Sequence, residues 1–221
     1  TNTGESFYTN NQSGSTTDTR YAGPTGHNTT NVLANTTLRF LTTGTLKYLY
    51  GTRESNDVAL SVDQSGSPSS ITCTTAGSTC SDTTNTEAVA SGDLIASEGN
   101  PTGSAARWYG GWGFIADTAG DFVAGHTINA GPSTTVASFA AFNGTSGGYG
   151  TGESTVTNLT QGGASVKTMR ADVSVAPGAG KTWTFALRQN AGDSAITCTI
   201  SIRATTCTGT GTVALADGDI I

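Results

Sequence analysis

The residues best equipped for covalent chemistry are four cysteines, Cys73, Cys80, Cys198 and Cys207. Cys73 and Cys80 flank a short predicted hairpin that turns at Ala76-Gly77, and Cys198 and Cys207 flank a slightly longer one. Facing hairpin arms bring two sulfurs within bonding reach, so the spacing predicts Cys73–Cys80 and Cys198–Cys207 disulfides. A four-cysteine zinc site is the competing chemistry. It wants closely paired cysteines, and these pairs sit in separate halves of the chain. Closing loops this short contributes about 2–3 kcal/mol per bond. Such bonds imply an oxidising compartment or a virion surface.

The other reactive side chains form no pattern. His27 and His126 sit in Gly-rich loops, and Ser and Asp are too abundant for a hydrolase triad to be singled out. No Gly-x-Ser-x-Gly elbow opens a helix, because no helical spacing occurs. Glu5, Glu54, Glu87, Glu98 and Glu153 are scattered acids with no matched partner of the kind a glycosidase needs, two carboxylates at a fixed separation. Asp93 and Asp219 recur in a Gly-Asp-aliphatic context. Calcium would need several oxygens converging on one point, whereas a turn in which Asp bonds its own backbone explains the recurrence directly. The expectation is a protein without catalytic residues, metal or cofactor. Binding chemistry is better represented, in the cluster Trp108-Tyr109-Gly110-Gly111-Trp112-Gly113-Phe114. Alternation sends 108, 112 and 114 to a core and Tyr109 outward, where it and Tyr149 are candidates to stack on sugars or on another subunit. Five Asn-x-Ser/Thr sequons, at Asn11, Asn28, Asn35, Asn143 and Asn158, permit glycosylation without indicating it.

The elements that carry these residues are repeated. Ser70-Ile71-Thr72-Cys73-Thr74 returns as Ala195-Ile196-Thr197-Cys198-Thr199, Thr79-Cys80 as Thr206-Cys207, and Gly92-Asp93-Leu94-Ile95 as Gly218-Asp219-Ile220-Ile221. Upstream, Val58-Ala59-Leu60-Ser61-Val62 aligns with Trp183-Thr184-Phe185-Ala186-Leu187, and Thr45-Leu46-Lys47 with Ser165-Val166-Lys167. The first copy covers about 1–116 and the second about 117–221. Large apolar residues alternate with small ones, which predicts Val58/Trp183, Leu60/Phe185 and Val62/Leu187 as equivalent buried positions. Strands are expected near 134–142, 154–160, 165–175, 182–189, 194–200, 204–208 and 212–216. Turns are expected at Pro177-Gly178-Ala179-Gly180 and Asn190-Ala191-Gly192-Asp193, with Gly supplying positive φ. The fold class is all-β, two tandem antiparallel sandwiches with hairpin disulfides, jelly-roll-like in preference to immunoglobulin-like because no Cys–Trp–Cys spacing is present.

Net charge is −6, with a pI near 4.7 and no Lys/Arg cluster, which excludes nucleic acid as a partner. No apolar run is long enough to span a membrane. The absence of an initiator Met fits removal of a signal peptide or excision from a longer polypeptide.

The string Pro177-Gly178-Ala179-Gly180-Lys181-Thr182-Trp183-Thr184-Phe185, followed by Ile196-Thr197-Cys198-Thr199-Ile200, Thr205-Thr206-Cys207 and Gly218-Asp219, resembles tandem jelly-roll-type repeats of bacterial surface and tailed-phage virion proteins. The likeness covers about sixty residues of each copy and implies a structural β-sandwich, with no catalytic residue to carry over. The leading expectation is therefore a structural subunit of an extracellular assembly, a surface filament or virion appendage that self-assembles. The alternative is a carbohydrate- or receptor-binding module with a glycan ligand. In copy one, residues through Ala116 follow Gly92-Asp93-Leu94-Ile95, whereas copy two reaches Ile220-Ile221. That predicts either a chain that continues beyond residue 221 or an unfilled sheet edge in the second sandwich, with residues 1–12, Phe7 and Tyr8 among them, as a projecting donor strand for a neighbouring subunit.

Overall fold

The structure is a computed structural model, and it describes residues 5–11, 17–23, 29–30, 36–104, 106–125, 133, 135–140, 152–153 and 164–221. The chain divides into two compact units, one of residues 1–129 with 143–146, the other of 130–142 with 147–221.

In the first unit the Thr-, Val- and aromatic-rich alternating runs form eleven strands among the described residues. They are β1 (Glu5–Asn11), β2 (Arg20–Ala22), β3 (Thr29–Thr30), β4 (Leu38–Arg39), β5 (Gly44–Arg53), β6 (Val58–Gln64), β7 (Ser67–Thr74), β8 (Thr79–Asp82), β9 (Glu87–Val89), β10 (Leu94–Pro101) and β11 (Trp108–Ala116). One antiparallel sheet runs β1-β11-β5-β8, with β9 also on β5. The other runs β3-β2-β10-β6-β7, with β4 also on β10. Taking β1, β2, β5, β6, β7, β8, β10 and β11 as first to eighth, the sheets read 1-8-3-6 and 2-7-4-5. That is the strand order of a jelly roll, as expected.

Its core lies between the sheets. Val58, Leu60 and Val62 of β6 and Ile71 of β7 join Leu46, Leu49, Trp108, Trp112 and Phe114 in one buried cluster. The Trp112 indole N–H donates to Ser97 Oγ of β10 at 2.9 Å, so one buried hydrogen bond crosses from sheet to sheet. Residues beyond 116 belong to this packing too, since Val123 is in the same cluster and Asp117 donates its N–H to Thr43.

In the second unit the described strands are β12 (Ala164–Asp172), β13 (Trp183–Gln189), β14 (Gly192–Ile200) and β15 (Thr206–Leu215), paired as β12-β15 and β13-β14. The repeat is exact in register. Ala59↔Thr74, Leu60↔Cys73 and Ser61↔Thr72 in the first unit become Thr184↔Thr199, Phe185↔Cys198 and Ala186↔Thr197. The irregularity between Ser61 and Asp63 recurs between Ala186 and Arg188. Strands β12 to β15 thus repeat the third to sixth strands of the jelly roll, around a small core of Val166, Leu187, Ile196, Val213 and Leu215.

The recurrent aspartates are turn locks. Asp93 Oδ2 accepts from Ala90 N at 2.8 Å and Gln64 Nε2 at 2.7 Å, and Asp219 Oδ2 accepts from Ala216 N at 2.7 Å and Gln189 Nε2 at 2.6 Å. The side-chain amide of Asn190, first, and then Ala216 N–H and Gln189, hold the Asp219 carboxyl below its ordinary range.

Local details differ from the sequence expectation. The strands expected at 204–208 and 212–216 are one continuous strand, β15. Within the expected strand 134–142, the described residues 135–140 hold a bend at 135–136 and a single bridge at Phe139. There the Ser133 hydroxyl accepts from the N–H groups of Thr135 and Val136 and turns the chain. The expected strand 154–160 lies outside the described residues. At the β13–β14 turn, positive φ falls on Asn190 (52°) and Ala191 (65°), not on Gly192, matching Ser65 and Gly66 in the first unit. This is the twist-compatible two-residue hairpin turn, which places both central residues in the left-handed region.

Candidate functional site

Both disulfides form, Cys73–Cys80 and Cys198–Cys207, and no described cysteine is free. The chain turns back at Ala76-Gly77, with Gly77 at φ 104°. The two arms then join different sheets, Cys73 opposite Leu60 of β6 and Cys80 opposite Gly51 of β5. The second bond does the same, with Cys198 opposite Phe185 and Cys207 opposite Ala171. Each disulfide therefore ties one sheet to the other. Beside the first, Asp82 makes a second tie. Its carboxylate accepts from Thr72 N of β7 at 3.2 Å, and from Asn85 N, Asn85 Nδ2 and Thr84 N at 3.0, 2.9 and 3.1 Å. Burial alone would raise its pKa, but these donors outweigh burial and hold it at about 2.

Strands β5 and β11 bring together the residues best placed to bind something. Trp108, Trp112 and Phe114 point inward and are fully buried, as alternation demands, while Tyr109 is 36% exposed. Register places Tyr109 opposite Thr52 and Gly111 opposite Tyr50, all on the outward face, and Tyr50 is 54% exposed. The Tyr109 hydroxyl donates to Glu54 Oε1, and Arg107 Nη1 lies 3.3 Å from Glu54 Oε2. The Tyr109 bond, with Arg107 adding to it, lowers the Glu54 pKa, and the same bond raises that of Tyr109. Further along β5, Lys47 Nζ donates to the Tyr48 hydroxyl at 2.7 Å. Tyr48, at φ 61°, occupies the irregularity that separates Gly111↔Tyr50 from Gly113↔Lys47.

Glu54 is thus held by a phenol and a guanidinium. Glu87 likewise accepts from Ser70, Glu98 from Ser61, and Glu153 from Arg188. Burial raises the pKa of both Asp63 and Glu98, with the Asp63 charge adding to the effect on Glu98. Among the described residues no three His, Cys, Asp or Glu side chains are gathered as a metal site. Tyr149, His27 and His126 lie outside the described residues.

The second unit is the less covered of the two. Leu187 is buried, but Trp183 and Phe185 are only half-buried, against full burial of Val58 and Leu60. The described strand pairings differ between the units in the same sense. In the first unit β6 pairs with β10 as well as β7, and β5 pairs with β11 as well as β8. Among the described residues β13 pairs only with β14, and β12 only with β15. Ile221 packs on the second unit's core, while Ile220 is 42% exposed and bonds Asn190 through its backbone.

The donor-arm expectation does not hold in this chain. Glu5–Asn11 form β1, paired with β11 from Glu5↔Ile115 to Asn11↔Tyr109. Tyr8 is 3% exposed, stacks on Trp112 with centroids 4.6 Å apart and donates to Val123 O at 2.6 Å. Burial pushes its hydroxyl pKa up to about 12. Phe7, its neighbour in β1, stands opposite Gly113. A polar flank around two aromatics had suggested a free arm, and the structure makes the segment an edge strand instead.

No protein family and no curated protein matches the chain. The disulfides indicate a non-reducing, extracellular-type setting. Among the described residues no helix is long and apolar enough to cross a membrane.

Proposed function

We propose that the protein is a structural subunit of an extracellular assembly, a bacterial surface filament or a virion appendage, whose second unit receives a β-strand from a neighbouring subunit. The observation that carries this reading is β13. Its homologous strand β6 is paired on both edges and fully buries Val58 and Leu60, whereas among the described residues β13 pairs on one edge, with Trp183 and Phe185 half-covered. An edge of this kind offers unpaired backbone groups beside an apolar face, which is what strand addition uses. The donor is not β1, which its own unit occupies. Two inter-sheet disulfides and a low charge density suit a rigid, protease-resistant building block.

Electron microscopy of the native material, with hydrogen exchange on assembled and dissociated protein, tests this reading. Periodic assemblies in which the amides of Trp183–Gln189 exchange more slowly than in the dissociated chain are expected. Monodisperse single particles, or equal exchange in both states, would overturn it.

A further inference from the structure

We propose that the outward face of β5 and β11 in the first unit binds carbohydrate, specifically a neutral polysaccharide lying along β11. This goes beyond the assembly reading and does not depend on it. The outward positions of β11 are Tyr109, Gly111 and Gly113 in succession, so past the Tyr109 ring the strand offers a floor without side chains. Tyr50 stands opposite Gly111 and Lys47 opposite Gly113, forming one wall from β5. Tyr50 and Tyr109 are diagonal neighbours across the pair, about 7–8 Å apart by general sheet geometry. Two exposed rings at diagonal positions on one face present successive apolar platforms.

Sugar rings fit this surface chemically. Their C–H faces carry partial positive charge and pack on the negative face of an aromatic ring, while their equatorial hydroxyls need donors and acceptors at its rim. The rim here is Glu54 and Arg107 at the Tyr109 end, with Thr52 opposite Tyr109 and two residues from Tyr50 along β5. Glu54 is already held by Tyr109 and Arg107, so it is pre-positioned to accept from a hydroxyl without reorganising. The Glu54 and Arg107 charges offset each other beside Tyr109, and Lys47 Nζ, at the far end of the face, is turned to the Tyr48 hydroxyl at 2.7 Å, so the ground between the two tyrosine rings is uncharged and suits a neutral ligand.

Affinity electrophoresis of the full chain through gels containing mixed-linkage β-glucan, xylan, glucomannan or galactomannan tests the site. Retardation by at least one polymer is expected. Tyr50→Ala and Tyr109→Ala should each weaken it at least tenfold, whereas Tyr109→Phe, which keeps the ring and loses the Glu54 bond, should weaken it only a few-fold. Both tyrosines are surface residues, and unchanged urea midpoints would confirm that the variants fold. Tyr50→Ser is the replacement if Tyr50→Ala does not. Retardation by none of the four polymers would overturn the proposal, as would retardation that survives both alanine variants. A change in sedimentation of the tyrosine variants without polysaccharide would also overturn it, by assigning the face to self-association.

Discussion

Replacing Asp82 by Asn removes a charge and leaves the shape. The folded carboxyl sits at about 2 against an ordinary 3.8, which sets a ceiling of roughly 2.4 kcal/mol on its contribution at neutral pH. Solvent screening at the edge of the sandwich brings the expectation to about 1–2 kcal/mol. Because the folded value is the lower one, this stability is complete above the unfolded pKa and disappears as pH falls through about 2. Urea unfolding in a Trp183→Phe background reads the first unit alone, since the remaining tryptophans, Trp108 and Trp112, are both buried there. The Asp82→Asn cost should be about 1–2 kcal/mol at pH 6 and shrink toward zero near pH 2. Equal costs at both pH values, or a cost below about 0.5 kcal/mol at pH 6, would refute the idea that the ionised carboxylate ties β7 to the loop after β8.

At the twin hairpin turns, Ala191→Gly should stabilise the second unit by about 0.5–1 kcal/mol, because Ala191 holds a φ of 65°, while Gly66→Ala should destabilise the first by a similar amount. Differential unfolding of the two units in urea checks both signs. Leu60→Ala should cost about 2–5 kcal/mol and Phe185→Ala clearly less than the 3–5 kcal/mol of a fully buried aromatic, since Leu60 is 2% exposed and Phe185 half-buried; equal losses would contradict the open face. Burial raises the Asp63 pKa, so its ionisation penalises folding increasingly as pH rises above 3.8. Asp63→Asn should therefore raise the urea midpoint at pH 7 relative to wild type and lose that advantage near pH 3.

Much of this was written into the chain. The recurring Ile-Thr-Cys-Thr and Gly-Asp strings located both disulfides, the Asp turn locks and the register of β6-β7 against β13-β14, because each string couples a buried position to a turn at fixed distance. Alternation also separated Tyr109 from Trp108 and Trp112. What stayed illegible was long-range. Nothing local tells Glu5–Asn11 that it will lie on β11, and Tyr8 looks like an exposed aromatic until Trp112 and Val123 are brought to it. Tyr50 was missed because Lys47-Tyr48-Leu49-Tyr50 reads as regular alternation, whereas the irregularity at Tyr48 sets which tyrosine faces outward beside Gly111. Trp183 and Phe185 have the right period for burial, but period fixes the face of a strand and not whether another layer covers it.

The placement of the first disulfide has a kinematic consequence. β7 and β8 are the last strands of their respective sheets at the same side of the sandwich, and Cys73–Cys80 sews those two margins together. At the opposite margin stand β1 and β3, with no such stitch among the described residues. The two leaves of the sandwich therefore share a bound spine and a free fore-edge. Thermal opening should fan outward from β1 and β3 while β7 and β8 stay shut, so partial unfolding has a direction, and the jelly roll loses its outer strands long before it parts at the spine.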